Sequence, residues 1–183
     1  MVLIQIFNLD KRDFFEKQPK HKLNIIMTQS KFSRNIVLLK TNGYELRFYL
    51  ARAENSQNSF FKAKVEFATT PNCSQKISAV SEKISINLSD LIRLGKYFQE
   101  HIKNIKNNSQ EDSYRFVDYT LGYQIHALCG DVSENGKTGS FSIISMVNIG
   151  KTKPFGSSTY IGGESIITFE QVEEFIIALE NCI

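Results

Sequence analysis

Alternation of apolar and polar positions organises most of this chain. Asn35 to Thr41 and Tyr44 to Ala53 are rich in β-branched and aromatic residues, and Asn42-Gly43 between them is the strongest short hairpin signal. After the polar stretch Glu54 to Asn58, the run Phe60 to Phe67 alternates with period two, as a strand with one buried face does. A further strand is expected around Lys83 to Leu88. Beyond it, Ser89 is the expected cap of a helix whose Leu91, Leu94, Phe98, Ile102 and Ile105 form one apolar stripe. That stripe is expected to bury against the sheet just formed. Strands follow at Leu121 to Leu128, Phe141 to Ile149, Thr159 to Ile161 and Glu164 to Thr168. A second helix is expected from about Phe169 to Asn181, with Thr168 and Gln171 as a capping box. Gly150 to Ser158 and Asn104 to Asp112 read as loop and exposed linker on their composition.

The order of these elements repeats. Tyr44-Glu45-Leu46-Arg47 answers to Tyr123-Gln124-Ile125-His126, Ser59-Phe60 to Ser140-Phe141, and the segment at Glu82 to the one at Gly163. A duplicated unit follows from this, because shared composition alone would not preserve the order. The expected fold is α+β: two β-β-β-β-α repeats forming curved antiparallel sheets packed on two helices. Its parts are an N-terminal extension with a first strand (1–33, the strand at Leu23 to Thr28), a first repeat (34–106), a linker (107–113) and a second repeat (114–183), in one domain.

Composition bounds the class. The chain has 183 residues, of which 42% are hydrophobic and 22% charged, enough to build a core. No apolar run approaches the roughly 18 residues of a membrane span, and the N-terminus lacks the basic start and cleavage site of a signal peptide. An intracellular location, cytoplasmic, nucleoid or nuclear, is expected, with no membrane partner. Cys73, Cys129 and Cys182 lie far apart with no CxxC spacing, and His21, His101 and His126 are equally dispersed. No metal or cofactor is expected from such a set. The Gly-Lys-Thr at 150–152 is not a P-loop, because Ser145 stands where the upstream glycine is required. No catalytic motif is present, and the chain reads as a non-enzyme.

Charge is uneven. Residues 1–106 hold 18 Lys and Arg against nine Asp and Glu, and residues 107–183 hold four against ten, so the halves carry +9 and −6 within the total of +3. Such a first half suits a polyanion, because neutralising phosphates is the main source of sequence-independent nucleic-acid affinity. The Lys11 to Lys22 region is either a basic arm or a simple extension.

Strand parity turns this into a site. Leu46, Phe48 and Leu50 share one face with Phe61, Ala63, Val65 and Phe67, leaving Arg47, Tyr49, Phe60, Lys62 and Lys64 outward, with Arg52 near the turn. Cations that follow phosphates, interleaved with flat rings for unstacked bases, are what a single strand needs. Lys31, Arg34 and Lys40 are weaker candidates on the neighbouring strand. The same residues also read as a cross-strand Tyr49–Phe60 pair or an interface solvated by lysines. The outward positions expected in the second repeat, Gln124, His126, Phe141, Ile143 and Ser145, are neutral or apolar, and its helix is acidic.

The stretch Arg47 to Lys62, with its Arg-Phe-Tyr strand, Asn-containing turn and Phe-x-Lys strand, resembles the PUR repeat of Pur-alpha-type proteins, as does the helix Leu91 to Phe98. The step Ile84 to Ile92 resembles the strand-into-helix segment of the plant Whirly proteins. Ala51 and Asn58 depart from the acidic residue and glycine usual in a PUR repeat, and the Whirly Lys-Gly-Lys-Ala-Ala signature is absent. The resemblance implies two intertwined units that bind single-stranded DNA or RNA, a role in transcription, replication, repair or RNA handling, and a homodimer or higher oligomer. The competing expectation is a protein-interaction or oligomerisation scaffold of the same fold.

Overall fold

The computed structural model describes residues 35–52, 60–109, 111–151 and 158–182. The expected strand at Leu23 to Thr28, the basic segment before it, Lys31, Arg34 and the turn at 54–58 lie outside the described residues, as does most of the 150–158 loop. The architecture is α+β, with a five-stranded and a four-stranded antiparallel sheet and two helices.

The first sheet takes β1 (Asn35–Lys40), β2 (Tyr44–Arg52) and β3 (Phe60–Thr69) in order, and β3 then pairs with both β4 (Ser78–Val80) and β5 (Ile84–Asn87). β5 falls within the strand expected around Lys83 to Leu88, and β4 was not foreseen. Ser81, between them, keeps the ladder closed: its N–H donates to Val65 O at 2.8 Å, and its Oγ accepts from Val65 N–H at 2.9 Å. The hairpin at Asn42-Gly43 forms as expected, and Thr41 Oγ1 accepts from Tyr44 N–H at 2.9 Å. Its tip docks on the second sheet, with Asn42 N–H donating to Ile166 O at 3.0 Å and Gly43 N–H to Ser165 Oγ at 2.8 Å. A Cβ on Gly43 would sit 3.0 Å from that Oγ, so the close approach favours glycine.

Helix α1 (Leu88–Lys106) starts two residues earlier than expected. Asn87 is its cap, with its side chain accepting from the N–H of Ser89, so Ser89 already lies inside the first turn. The helix runs through Lys106 into the segment expected to be linker, and Asn107 ends it. The second sheet orders β6 (Phe116–Val117), β7 (Tyr123–Val132), β8 (Gly139–Lys151) and β9 (Ser158–Thr168). The two short strands expected near 159–168 are one continuous β9, and β6 was not foreseen. Helix α2 (Phe169–Glu180) has the expected Thr168/Gln171 capping box.

The inward residues of both sheets and both helices belong to one core cluster. Phe48 of β2 packs 5.2 Å from Tyr123 of β7 and 5.7 Å from Phe175 of α2, centroid to centroid. Phe98 of α1 meets Phe175 at 5.9 Å and Phe141 of β8 at 6.5 Å. Apart from its helix neighbour Tyr97, the ring partners of Phe98 come from the second sheet and second helix rather than from the sheet that precedes α1.

Polar groups inside this core are mostly paired, as burial requires. The Tyr44 hydroxyl donates to Ile143 O at 3.0 Å or to Ser145 Oγ at 2.9 Å, tying β2 to β8. His101, fully buried, has Nε2 2.9 Å from Leu128 O and Nδ1 2.7 Å from Ser113 Oγ. A carbonyl only accepts, so Nε2 carries a proton; burial favours the neutral ring, in which Nδ1 accepts from the serine hydroxyl.

Two outcomes follow. Tyr44→Phe removes a buried donor that joins the sheets and is expected to cost about 1–3 kcal/mol in denaturant unfolding, with the secondary structure unchanged. Burial holds the His101 pKa below its ordinary value, outweighing the Leu128 carbonyl and Asp112, which raise it. The unfolded chain then binds this proton first, so the stabilisation is complete above about pH 6.5 and is lost as pH falls below it. Unfolding midpoints between about pH 7.5 and about pH 5 should fall, and less steeply for His101→Gln.

Candidate nucleic-acid interface

Period-two alternation in β2 and β3 delivers the outward face as expected. Leu46, Phe48, Leu50, Phe61, Ala63, Val65 and Phe67 are buried, while Arg47 and Tyr49 are half-exposed and Phe60, Lys62 and Lys64 exposed. Register sets Arg47 opposite Glu66, Tyr49 opposite Lys64, and Ala51 opposite Lys62. On β1, Leu38 and Ile36 flank Arg47 and Tyr49, and Lys40 faces Glu45 at the far end. Ile36 is 58% exposed and Phe60 43%, so apolar surface lies open on this face.

One half of the face is internally bonded. Arg47 reaches Glu45 Oε2 at 2.9 Å and Glu66 Oε1 at 3.5 Å. The Tyr49 hydroxyl donates to Glu66 Oε2 at 2.6 Å, and Ser78 Oγ donates to Glu66 Oε1 at 2.9 Å. Glu66 shares the outward parity of Lys62 and Lys64. Its position opposite Arg47 follows only from register. Ion pairs this exposed are worth about 0–1 kcal/mol, so a phosphate can compete for Arg47, but Glu45 and Glu66 oppose its approach. Lys62 and Lys64 form no ion pair among the described residues, and their surroundings are the polar Ser85 opposite Lys62 and the Tyr49 ring opposite Lys64.

Two expected placements change. Arg52 shares the parity of Leu50 and stands opposite Phe61. Its guanidinium lies 5.9 Å from the Phe61 ring and donates to Cys182 O, beyond α2, at 3.5 Å, so Arg52 points to the helix side of the sheet. Tyr49 and Phe60 are not a cross-strand pair: Tyr49 faces Lys64, four residues from Phe60, or about 13 Å along the strand. The two rings lie at different levels of the face, with Lys62 between Phe60 and the level of Tyr49.

On the second sheet, Gln124 and His126 point outward as expected, but Phe141, Ile143 and Ser145 are buried. The run from Phe141 to Ile149 is apolar at both parities, so alternation did not fix its inner face; the buried Ser145 is matched by the Tyr44 hydroxyl. The outward set is instead Ser142, Ile144 and Met146, with Glu164 opposite Ile144. These positions carry no lysine or arginine.

Among the described residues no helix is long and apolar enough to cross a membrane, and no group of three or more His, Cys, Asp or Glu side chains is placed to hold a metal ion. No protein-family model matches the chain, and no curated protein is similar to it.

The Glu66 network is directly measurable. The Tyr49 hydroxyl hydrogen bond, then Ser78 and Arg47, hold the Glu66 carboxyl below its ordinary pKa against partial burial. In side-chain NMR titrations, Tyr49→Phe should move the Glu66 pKa upward, toward the usual carboxylate range.

Proposed function

We propose that this chain binds single-stranded DNA or RNA on the outward face of the first sheet, as a non-enzymatic regulator in transcription, replication, repair or RNA handling. The observation that carries the reading is the row Phe60, Lys62 and Lys64, exposed along β3 beside the Tyr49 ring. Across the face as a whole, Lys40, Arg47, Lys62 and Lys64 outnumber Glu45 and Glu66 by two charges. A phosphate path along Lys62 and Lys64, with bases on Phe60 and Tyr49, avoids the two carboxylates. Arg47 joins only if phosphate displaces Glu66. Duplex DNA hides its base faces, so single strands or loops are preferred.

Within the same reading the fold is a duplicated β-β-β-β-α unit, β1 to α1 and β6 to α2, with the broken β4/β5 answering to β9. Supporting it are the matching sheet orders and Tyr44 and Tyr123, both buried at the start of equivalent strands. The contacts of Phe98 with Phe141 and of Phe175 with Phe48 suit units that exchange helices. The resemblance to PUR and Whirly proteins belongs to this proposal. A scaffold without nucleic-acid binding is the second reading, favoured by the Glu45–Arg47–Glu66–Tyr49 network, which neutralises half of the face from within.

Fluorescence anisotropy of labelled single-stranded DNA, single-stranded RNA and duplex DNA, at about 50 and about 200 mM salt, tests the choice. Single strands should bind tighter than duplex and weaken steeply with salt. Lys62→Glu with Lys64→Glu should reduce the salt slope by about 2, and Phe60→Ala should weaken binding about 5- to 150-fold. No binding of any probe at micromolar protein overturns the proposal, and loss of self-association in the double lysine variant without a nucleic-acid effect points to the scaffold.

A further inference from the structure

Far from the lysine row, the second sheet ends in an open strand edge. Among the described residues β9 pairs with β8 on one side and with no strand on the other. In an antiparallel ladder the N–H and C=O of one residue point to the same side, and that side alternates along the strand. Ile166 O accepts from Asn42 N–H at 3.0 Å and so marks the open side. Register with β8 is unbroken from Tyr160 to Thr168, so Glu164, Gly162 and Tyr160 turn their backbone groups the same way. No backbone hydrogen bond beyond the ladder reaches these three among the described residues. Three donors and three acceptors thus stand in a row about 14 Å long.

Such a row is a template for a further strand, and proteins shield it with short strands, lysine or proline. The other strands bordering the sheets carry that protection: β4 has three residues, β5 four and β6 two, and β1 ends in Lys40. Tyr160 to Ile166 contains neither lysine nor proline. Gly162 and Glu164 are exposed, and Ile161 is 36% exposed. The glycine itself is required by β8, because a Cβ at 162 would run into Ser145 O and Met146 Cα. Its consequence lies at the edge, where no side chain from 162 covers the backbone.

The edge also selects its occupant. Only a chain in extended conformation matches donors and acceptors that recur at strand spacing. The hairpin tip at Asn42 already takes the next position, at Ile166, so the free stretch runs from Glu164 to Tyr160. Glu164 is the one charge between Tyr160 and Ile166, within a half of the chain that holds four Lys and Arg against ten Asp and Glu. A cationic strand complements it. A second copy of β9 would instead bring a like-charged half against the first.

We propose that the β9 edge from Glu164 to Tyr160 takes up an extended basic segment of another protein as an added antiparallel strand. Its backbone pairs with Glu164, Gly162 and Tyr160, a cationic side chain lies beside Glu164, a bulky one fills the space left by Gly162, and an apolar one meets Ile161. The site shares no residue with the proposed nucleic-acid face and stands without it.

Amide hydrogen exchange read by NMR on the full chain, with the capped peptide Lys-Val-Tyr-Val-Lys-Val-Thr added up to about 1 mM, tests this. In the free chain the amides of Gly162 and Glu164 should exchange fast and those of Ile161 and Gly163 slowly; the peptide should slow the fast pair. N-methylation of the peptide at its two lysines and its tyrosine, whose N–H groups face β9 in this register, should abolish the effect, whereas N-methylation at the first two valines should leave it. Glu164→Lys should weaken binding about 5-fold or more at unchanged melting temperature, and should favour the peptide with glutamate in place of lysine. Gly162 and Glu164 amides already protected in the free chain, protection that rises with protein concentration alone, no response at about 1 mM peptide, or equal loss from both N-methylation patterns would each overturn the proposal.

Discussion

Phe48, Phe175, Phe98 and Phe141 form a continuous line of ring contacts from β2 through α2 and α1 to β8. Everything else in the fold is arranged around that line. Each sheet has one apolar face and each helix one apolar stripe, and none of the four can be covered by its own sequence neighbours alone. Joining them in a single cluster removes all four from water together, which is the dominant favourable term in folding. It also fixes which face of the first sheet remains outside. Because Phe48 must point to the cluster, Arg47 and Tyr49 cannot.

Polar side chains inside the cluster mark where the sheets lock. Tyr44 and Ser145 satisfy each other across the two sheets, and the docked Asn42-Gly43 turn closes the same seam a few residues away. Asp118 accepts from the N–H groups of Gly122 and Tyr123, and from the Thr120 hydroxyl, holding the turn that leads into β7. Tyr123 is the exception: it is fully buried, its hydroxyl has no partner among the described residues, and burial together with Asp118 and Asp90 raises its pKa well above the ordinary value. Its ring packs against Phe48 and Phe116, so packing rather than hydrogen bonding retains it.

On the outside, the balance between cations and carboxylates decides what each surface can do. Arg47 is held by Glu45 and Glu66, and Arg93 by Asp90 and the Val117 carbonyl while its guanidinium lies 4.0 Å over the Phe116 ring. Both arginines are thus committed to contacts within the protein. Lys62 and Lys64, exposed on the sheet and in no ion pair among the described residues, are the ones placed to meet something else.

The sequence by itself determined the local periods. Strict alternation in Tyr44 to Leu50 and Phe60 to Phe67 set which side chains are buried, Asn42-Gly43 placed the hairpin, Thr168 with Gln171 capped the second helix, and the stripe from Leu91 to Ile105 defined the buried face of the first. These depend on interactions within a few residues, and a period is visible in one dimension. Only the tertiary structure decided the rest. The run around Ile143 and Ile144 is apolar on both parities, so its inner face was chosen by Tyr44 reaching Ser145 from another strand. Glu66 became the partner of Arg47 and Tyr49 through strand register. Arg52 was turned from the sheet face toward Phe61 and Cys182, and Phe98 met Phe141 of the second sheet and Phe175 of the second helix. Each of these outcomes is a contact between segments distant along the chain, and pairing of that kind is fixed by packing in three dimensions, which no local pattern encodes.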